Sequence, residues 1–274
     1  MQIAISILVF CLLYSCSAKQ EISEKKGLLT QTEETAPPNS DTNAKPPTIV
    51  HTLQVIERYP HDTMAFTQGL CFVGNDLYET TGQYGASSLR KIDMKTGKVL
   101  KTVSLETSIF GEGLAFLDNR FFILTWVNQF ALVMDKNTLH EKKRIPYSGE
   151  GWGLTTDGTV LYMSNGTEVI TVRSAEDFST LRTIVVRLDG TPVRYLNELE
   201  WVEGELYANV WQSNSIMCIN PENGMVTRVL DASNILGQTE RTVRTDVLNG
   251  IAYNSNTKEL YITGKYWPFL FKVH

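Results

Sequence analysis

The sequence is poor in the residues that metal and redox chemistry require. It holds four cysteines and four histidines in 274 residues. Cys11 and Cys16 fall in the first apolar stretch, and Cys71 and Cys218 lie far apart in strand-like segments. Buried free thiols are therefore the default expectation for that second pair. His51, His61, His140 and His274 show no ligand spacing, and HExxH and CxxC are absent. No metal site and no cofactor are expected. Basic blocks are missing too: 25 Lys and Arg stand against 30 Asp and Glu, a net charge of −5 without large runs. That excludes the basic face of a nucleic-acid binder. No segment keeps a 3.6-residue apolar period over helix length, which argues against bundles and α/β architectures.

Long hydrophobic runs are also lacking. The one apolar stretch, at residues 1–18, is too short to span a membrane comfortably and reads as a signal peptide. It ends in Leu13-Tyr14-Ser15-Cys16, which resembles a bacterial lipobox, although no Lys or Arg precedes the run. Cys16 is thus the expected lipidation site, and the protein is expected in the periplasm or cell envelope, held to the membrane by that lipid. The alternative is an ordinary secretion signal cut nearby. Residues 19–47 are polar and rich in Pro, Thr, Ser and Lys. They cannot bury enough apolar surface to offset the entropy of ordering, and read as a tether. The globular part is expected over 48–274, as a monomer.

What the sequence does contain is a repeat. FTQGLCF (66–72), FGEGLAF (110–116), GWGLTT (151–156), LNELEW (196–201) and VLNGIAY (247–253) share a pattern. Each is followed by a polar turn and a second apolar run: DLYETTG, RFFILTW, VLYMSNG, ELYANVW and ELYITGK. Where a third run is clearest, at 88–105 and 215–230, a turn carrying Gly97 or Gly224 joins two alternating strands, a hairpin signal. A unit of roughly 42 residues with four short strands is the period of a β-propeller blade. The expectation is an all-β, five-bladed propeller of four-stranded antiparallel blades. The fifth unit ends at Lys272-Val273-His274, one strand short. The alternating segment 48–59 can supply that strand and close the ring. A barrel or a sandwich would not predict this period.

The repeat also serves as a ruler. The residues before the Gly-Leu-like pair are Gln68, Glu112, Trp152, Asn197 and Asn249. The first strand of each propeller blade lines the central channel, so these positions form a ring. The last residues of the second strands are Gly82, Trp126, Gly166, Trp211 and Lys265, 14 residues further on in four units and 16 in the fifth. Two antiparallel strands return to the same end, so both rings should face one mouth. A lone Trp is more often core and a lone Glu more often solvated. It is the convergence of a carboxylate, an ammonium, two carboxamides and three indoles that points to a site.

FTQGL, FGEGL, GWGLT, YLNELEW, NVW and GKYWP resemble the glutamine cyclotransferase family of plants and bacteria, over about residues 52–272. The resemblance implies a metal-free five-bladed propeller that closes N-terminal glutamine of peptides and proteins into pyroglutamate and releases ammonia. It also implies Glu112 as catalytic acid/base, Asn197 and Lys265 as functional polar residues, and Phe66, Gln68, Phe110, Trp126, Trp152 and Trp211 as the substrate pocket. This chain departs from the pattern in the lipobox, the tether and the 16-residue spacing before Lys265. Two readings compete with cyclisation. One is a non-catalytic propeller lipoprotein binding a peptide or sugar. The other is a metal-dependent lactonase, against which the ring offers only one acid.

Overall fold

The computed structural model describes residues 47–274. The expected signal peptide, Cys16 and nearly all of the expected tether lie outside them. Five blade sheets follow one another along the chain with their antiparallel strands in sequence order, except that two N-terminal strands join the last two blades; a two-stranded sheet at Arg187–Leu188 and Thr191–Pro192 lies between blades three and four. Blade one runs between Thr67 and Ser104, blade two between Gly111 and Pro146, and blade three between Leu154 and Val185. Blade four runs between Leu196 and Asp231, and blade five between Leu248 and Val273. The only helical element among the described residues is a 3-10 turn at Gln238–Glu240.

Burial shows why these strands stack as blades. The first three strands of each blade carry mostly buried residues, whereas the outer strand Lys98–Ser104 is almost wholly exposed. The apolar core is divided into five clusters, one between each pair of neighbouring blades. Ile216 and Leu230 of blade four meet Ile251 and Phe271 of blade five, for example, while Leu70 and Leu77 of blade one meet Tyr261 and Leu270 of blade five. A single blade cannot bury its two faces alone, so the ring is the unit that folds. Cys71 and Cys218 are free and buried within it.

The segment at 48–59 closes the ring, but as two strands instead of one. Strand β2 (Val55–Pro60) pairs antiparallel with Phe269–Val273 and completes blade five. Strand β1 (Ile49–Thr52) pairs parallel with the outer strand of blade four, Val226–Asp231, and makes that blade five-stranded. Thr48 is fastened further round, where its Oγ1 donates to Asp189 Oδ1 at 2.7 Å. The break falls at Leu53, whose buried side chain joins the cluster between blades four and five. Alternation could predict strand here; it could not show that a buried leucine would turn the chain from one blade to the next.

Candidate active site

The innermost strand of a blade has neighbours on one side only, so its other edge presents unpaired backbone groups to the axis. Glu198 and Glu200, both on Leu196–Val202 of blade four, supply acceptors there. Glu198 accepts from the backbone N–H of Ile251 at 2.8 Å and of Leu70 at 3.4 Å. Glu200 accepts from the Tyr253 N–H at 2.8 Å and from Thr155 Oγ1 at 3.2 Å. Two acids of blade four thus tie its inner strand to those of blades one, three and five. Burial raises both acids, Glu200 to about 8 despite these donors.

Above this staple the axial ring opens into a mouth. Register breaks between Thr67 and Gly69, Gly111 and Leu114, Leu196 and Leu199, and Leu248 and Ile251. Gln68, Glu112, Asn197 and Asn249 therefore all sit in β-bulges, a device that re-aims a side chain out of the regular pleat. In blade three the strand starts only at Leu154, and Trp152 precedes it. The second ring supplies room as well as walls. A methyl at Gly82 would come within 2.3 Å of Phe110 Cε1, and one at Gly166 within 2.7 Å of Trp152 Cζ2. These two positions are glycine because aromatic rings lie on them.

The 16-residue spacing does not displace Lys265. The turn in blade five, between paired Asn254 and Glu259, is two residues longer than the turn between Val73 and Asp76 or between Val202 and Glu205. That turn is at the far end of the hairpin. At the mouth, Lys265 N–H donates to Val247 O, as Gly82 does to Phe66 O, Trp126 to Phe110 O and Trp211 to Tyr195 O.

The result is one cavity of about 350 Å³. It brings together Phe66, Gln68, Phe110, Glu112, Trp126, Trp152, Asn197, Trp211 and Lys265, the nine residues singled out in the sequence within 48–274, and adds Asp246. The polar groups are desolvated, since Gln68, Glu112, Asn197 and Lys265 are each 3–5% exposed. Burial pushes the Glu112 carboxyl well above its ordinary range; Lys265 pulls the other way, Glu150 adds to the rise, and a hydrogen bond from Gln68 opposes it. Lys265 is lowered by burial, against the attraction of Glu112 and Asp246. Its Nζ lies 4.5 Å from the centre of the Phe66 ring, a cation–π contact that favours the ammonium. Asn197 Oδ1 is buried without a hydrogen-bond partner. An acceptor left open in a cleft is free to receive a ligand N–H.

Aromatic contacts set the wall. Phe110 meets Trp126 and Phe66 edge-on at 5.6 and 5.9 Å, and Trp152 meets Trp211 at 6.0 Å. Glu150 had no place in the ruler, yet it organises two of these rings. The indole N–H groups of Trp126 and Trp152 both donate to its Oε2, at 2.8 and 2.9 Å. Glu150 and Asp246 lie in the loops between ring positions, where the repeat carries no register. Their signal was only proximity in sequence: Glu150 is two residues before Trp152, and Asp246 three before Asn249. Among the described residues no three of His, Cys, Asp and Glu come together as metal ligands.

A site with one buried acid, one buried ammonium, an open carboxamide and a desolvating wall can move a proton and stabilise a developing oxyanion. Comparison with known proteins gives the family. The model of the glutamine cyclotransferase family matches residues 27–274. A glutaminyl-peptide cyclotransferase of Arabidopsis thaliana is 40% identical over 230 residues, 82% of this chain and 71% of the plant protein. The crystal structure of Myxococcus xanthus glutaminyl cyclase superposes with a TM-score of 0.77 at 34% identity, covering 83% of this chain and 97% of that one. On its sequence, its five blades and these relatives, the chain belongs to the glutamine cyclotransferase family.

Proposed function

We propose that the protein is a glutaminyl-peptide cyclotransferase that works without a metal, with Glu112 as its proton shuttle. The observation that carries the reading is a desolvated carboxyl that shares an aromatic-walled cavity of about 350 Å³ at the axial mouth with a desolvated ammonium. The α-amine of the substrate attacks the carbon of its own side-chain carboxamide. A free α-amine has a pKa of about 7.7–8.0, so its neutral form is accessible near pH 7. Glu112 takes the proton that the amine nitrogen sheds on forming the new C–N bond. It hands that proton to the carboxamide nitrogen, which leaves as ammonia when the old C–N bond breaks. A carboxyl with a raised pKa suits both halves of the transfer.

Lys265 donates to the carboxamide oxygen as it becomes an oxyanion. Asn197 can receive a substrate N–H on Oδ1 and donate from Nδ2 to the same oxygen. Phe66, Phe110, Trp126, Trp152 and Trp211 exclude water and hold the side chain folded back on the amine. The test is release of ammonia from a peptide beginning with Gln, in the presence of EDTA. No release by wild type, or release that zinc must restore, would overturn the reading.

We also propose that Cys16 is the first mature residue and carries lipid, which would place the enzyme in the cell envelope. Labelled fatty acid should enter wild type and not Cys16→Ser; equal labelling of both would remove the anchor.

A further inference from the structure

Asn249 belongs to the axial ring but is not part of the cavity wall. It is fully buried, and its Nδ2 donates twice, to Thr67 O at 2.9 Å and to Gln68 Oε1 at 3.1 Å. A backbone carbonyl can only accept, so the end of Asn249 that faces Thr67 must be the nitrogen. The same nitrogen faces Gln68, so Gln68 must turn its oxygen toward Asn249. The nitrogen of Gln68 is then the end left for Glu112, its neighbour in the cavity wall. The reverse orientation would set a carbonyl oxygen against the Glu112 carboxylate and leave Asn249 facing a second donor.

Both ends of this chain are fixed. Thr67 Oγ1 donates to Glu79 Oε1 at 2.7 Å, which holds the residue whose carbonyl anchors Asn249. On the other side, Gly250 N–H donates to Asn209 Oδ1 at 2.9 Å, and Gly250 adopts a φ of 126° that only glycine takes readily. We propose that Asn249 is a positioning residue: it locks the Gln68 amide with its nitrogen toward Glu112, and so tunes how readily Glu112 gives up its proton. The proposal rests on the reading of Glu112 as the proton shuttle. Asn249 itself touches no substrate.

Donation to a carboxylate favours its ionised form. Without the lock, Gln68 turns freely, the donation is lost part of the time, and Glu112 holds its proton to higher pH. The other charged or titratable groups acting on Glu112 are Lys265 and Glu150, with Tyr147 close enough to feel its charge. None of them bonds to Asn249, so they stay as they are when it is changed.

The experiment compares full-length wild type, Asn249→Ala, Asn249→Ser, Gln68→Ala and the Gln68→Ala/Asn249→Ala double variant. The serine hydroxyl stops one atom short of the Asn249 nitrogen that makes both bonds, so Asn249→Ser removes the lock while leaving a small polar group in the bulge. Asn249→Ser should lower kcat about tenfold, the size of one hydrogen bond to a charged group. It should move the acid limb of kcat/KM to higher pH by about one unit, while its melting temperature stays near wild type. The double variant should fall no more than about twofold below Gln68→Ala, because the second change acts through the first. An unmoved acid limb in Asn249→Ser, or losses that multiply in the double variant, would overturn the proposal.

Carboxyl carbon NMR of Glu112, identified by the signal missing from Glu112→Gln, reads the same titration without turnover. A higher midpoint in Asn249→Ser supports the lock, and an equal midpoint overturns it. If wild type released no ammonia while that midpoint still moved, cyclisation would fail as the function and the positioning role would stand.

Discussion

Glu79 and Glu112 are both glutamates buried in strands of adjoining blades, and the fold treats them in opposite ways. Around Glu79, Arg90 Nη2 lies at 2.7 Å, His61 Nε2 at 3.1 Å and Thr67 Oγ1 at 2.7 Å. His61 Nδ1 faces Trp267 O at 2.9 Å. Both ring nitrogens therefore face acceptors, and the ring is an imidazolium. Burial by itself would raise the Glu79 carboxyl, but Arg90 and His61 hold it down to about 2. Glu112 has Lys265 and Gln68 for the same task, and burial wins. The difference separates an acid kept charged, which joins blade one to the ring-closing segment, from the acid we propose as the proton shuttle. Neither burial nor a raised carboxyl marks a site by itself, since Glu198 and Glu200 have both; Glu112 adds a place in the wall of an open cavity.

The sharpest break of this comparison is to remove the charge from each acid in turn. Glu112→Gln should lower kcat by about 10²–10⁴-fold with KM changed far less, since it removes only the proton transfer. Its fold should survive and gain stability relative to wild type. A carboxyl raised in the folded state favours folding below its unfolded pKa, and that contribution is lost as pH rises through the folded value. The gain should therefore open above the ordinary glutamate value of 4.5. Denaturant unfolding at pH 4 and pH 8 measures it, and a gain equal at both would place the effect elsewhere.

Glu79→Gln should do the reverse. Breaking a buried pair leaves His61 without its anion and Arg90 with Asp62 alone, at 2.8 Å, at a cost of about 3–5 kcal/mol. Activity of the molecules that remain folded should change little, because a glutamine oxygen there can still accept from Thr67 Oγ1. The Glu79 carboxyl is lowered, so its contribution is present above the unfolded value of 4.5 and is lost as pH falls toward about 2. Wild type should lose stability across that window, and Glu79→Gln should lose less.

The pH profile of turnover sharpens the contrast further. Activity should fall on the acid side as Glu112 and the substrate α-amine take up protons and on the alkaline side as Lys265 loses its own. Burial moves the first limb up and the second down, so the bell should be narrower than ordinary values of 4.5 and 10.5 would give. Glu79 should contribute no limb. The smallest effect is expected at the wall: Trp211→Phe keeps a ring but loses area, and should raise KM about threefold with little change in kcat. A larger loss in kcat than in KM would make that indole part of the transition-state contacts.

Most of the architecture was legible because a propeller repeats itself. The five segments containing Gln68, Glu112, Trp152, Asn197 and Asn249 gave both the blade count and the positions that meet on the axis. Loops escaped the ruler, so Glu150 and Asp246 were invisible to it. Glu198 and Glu200 escaped for another reason. An acid in a strand normally reads as a solvent-facing residue, and only the assembled ring shows that both faces of Leu196–Val202 are buried and that free N–H groups of Leu70, Ile251 and Tyr253 await acceptors. Glu79 and His61 form a pair 18 residues apart, which no local pattern announces.

The division of the N-terminal segment also has a mechanical consequence. A pull arriving from the N-terminal side meets β1 before β2. The hydrogen bonds of Thr48 to Asp189 and then the four residue pairs that hold Ile49–Thr52 against blade four must give way first. Only after Leu53 leaves its cluster would the load reach the strand whose loss opens the ring. The molecule thus carries strain relief in series with its closure, as a cable clamp does ahead of a connector. Forced unfolding from that end should show a first, separate rupture that leaves the catalytic mouth assembled.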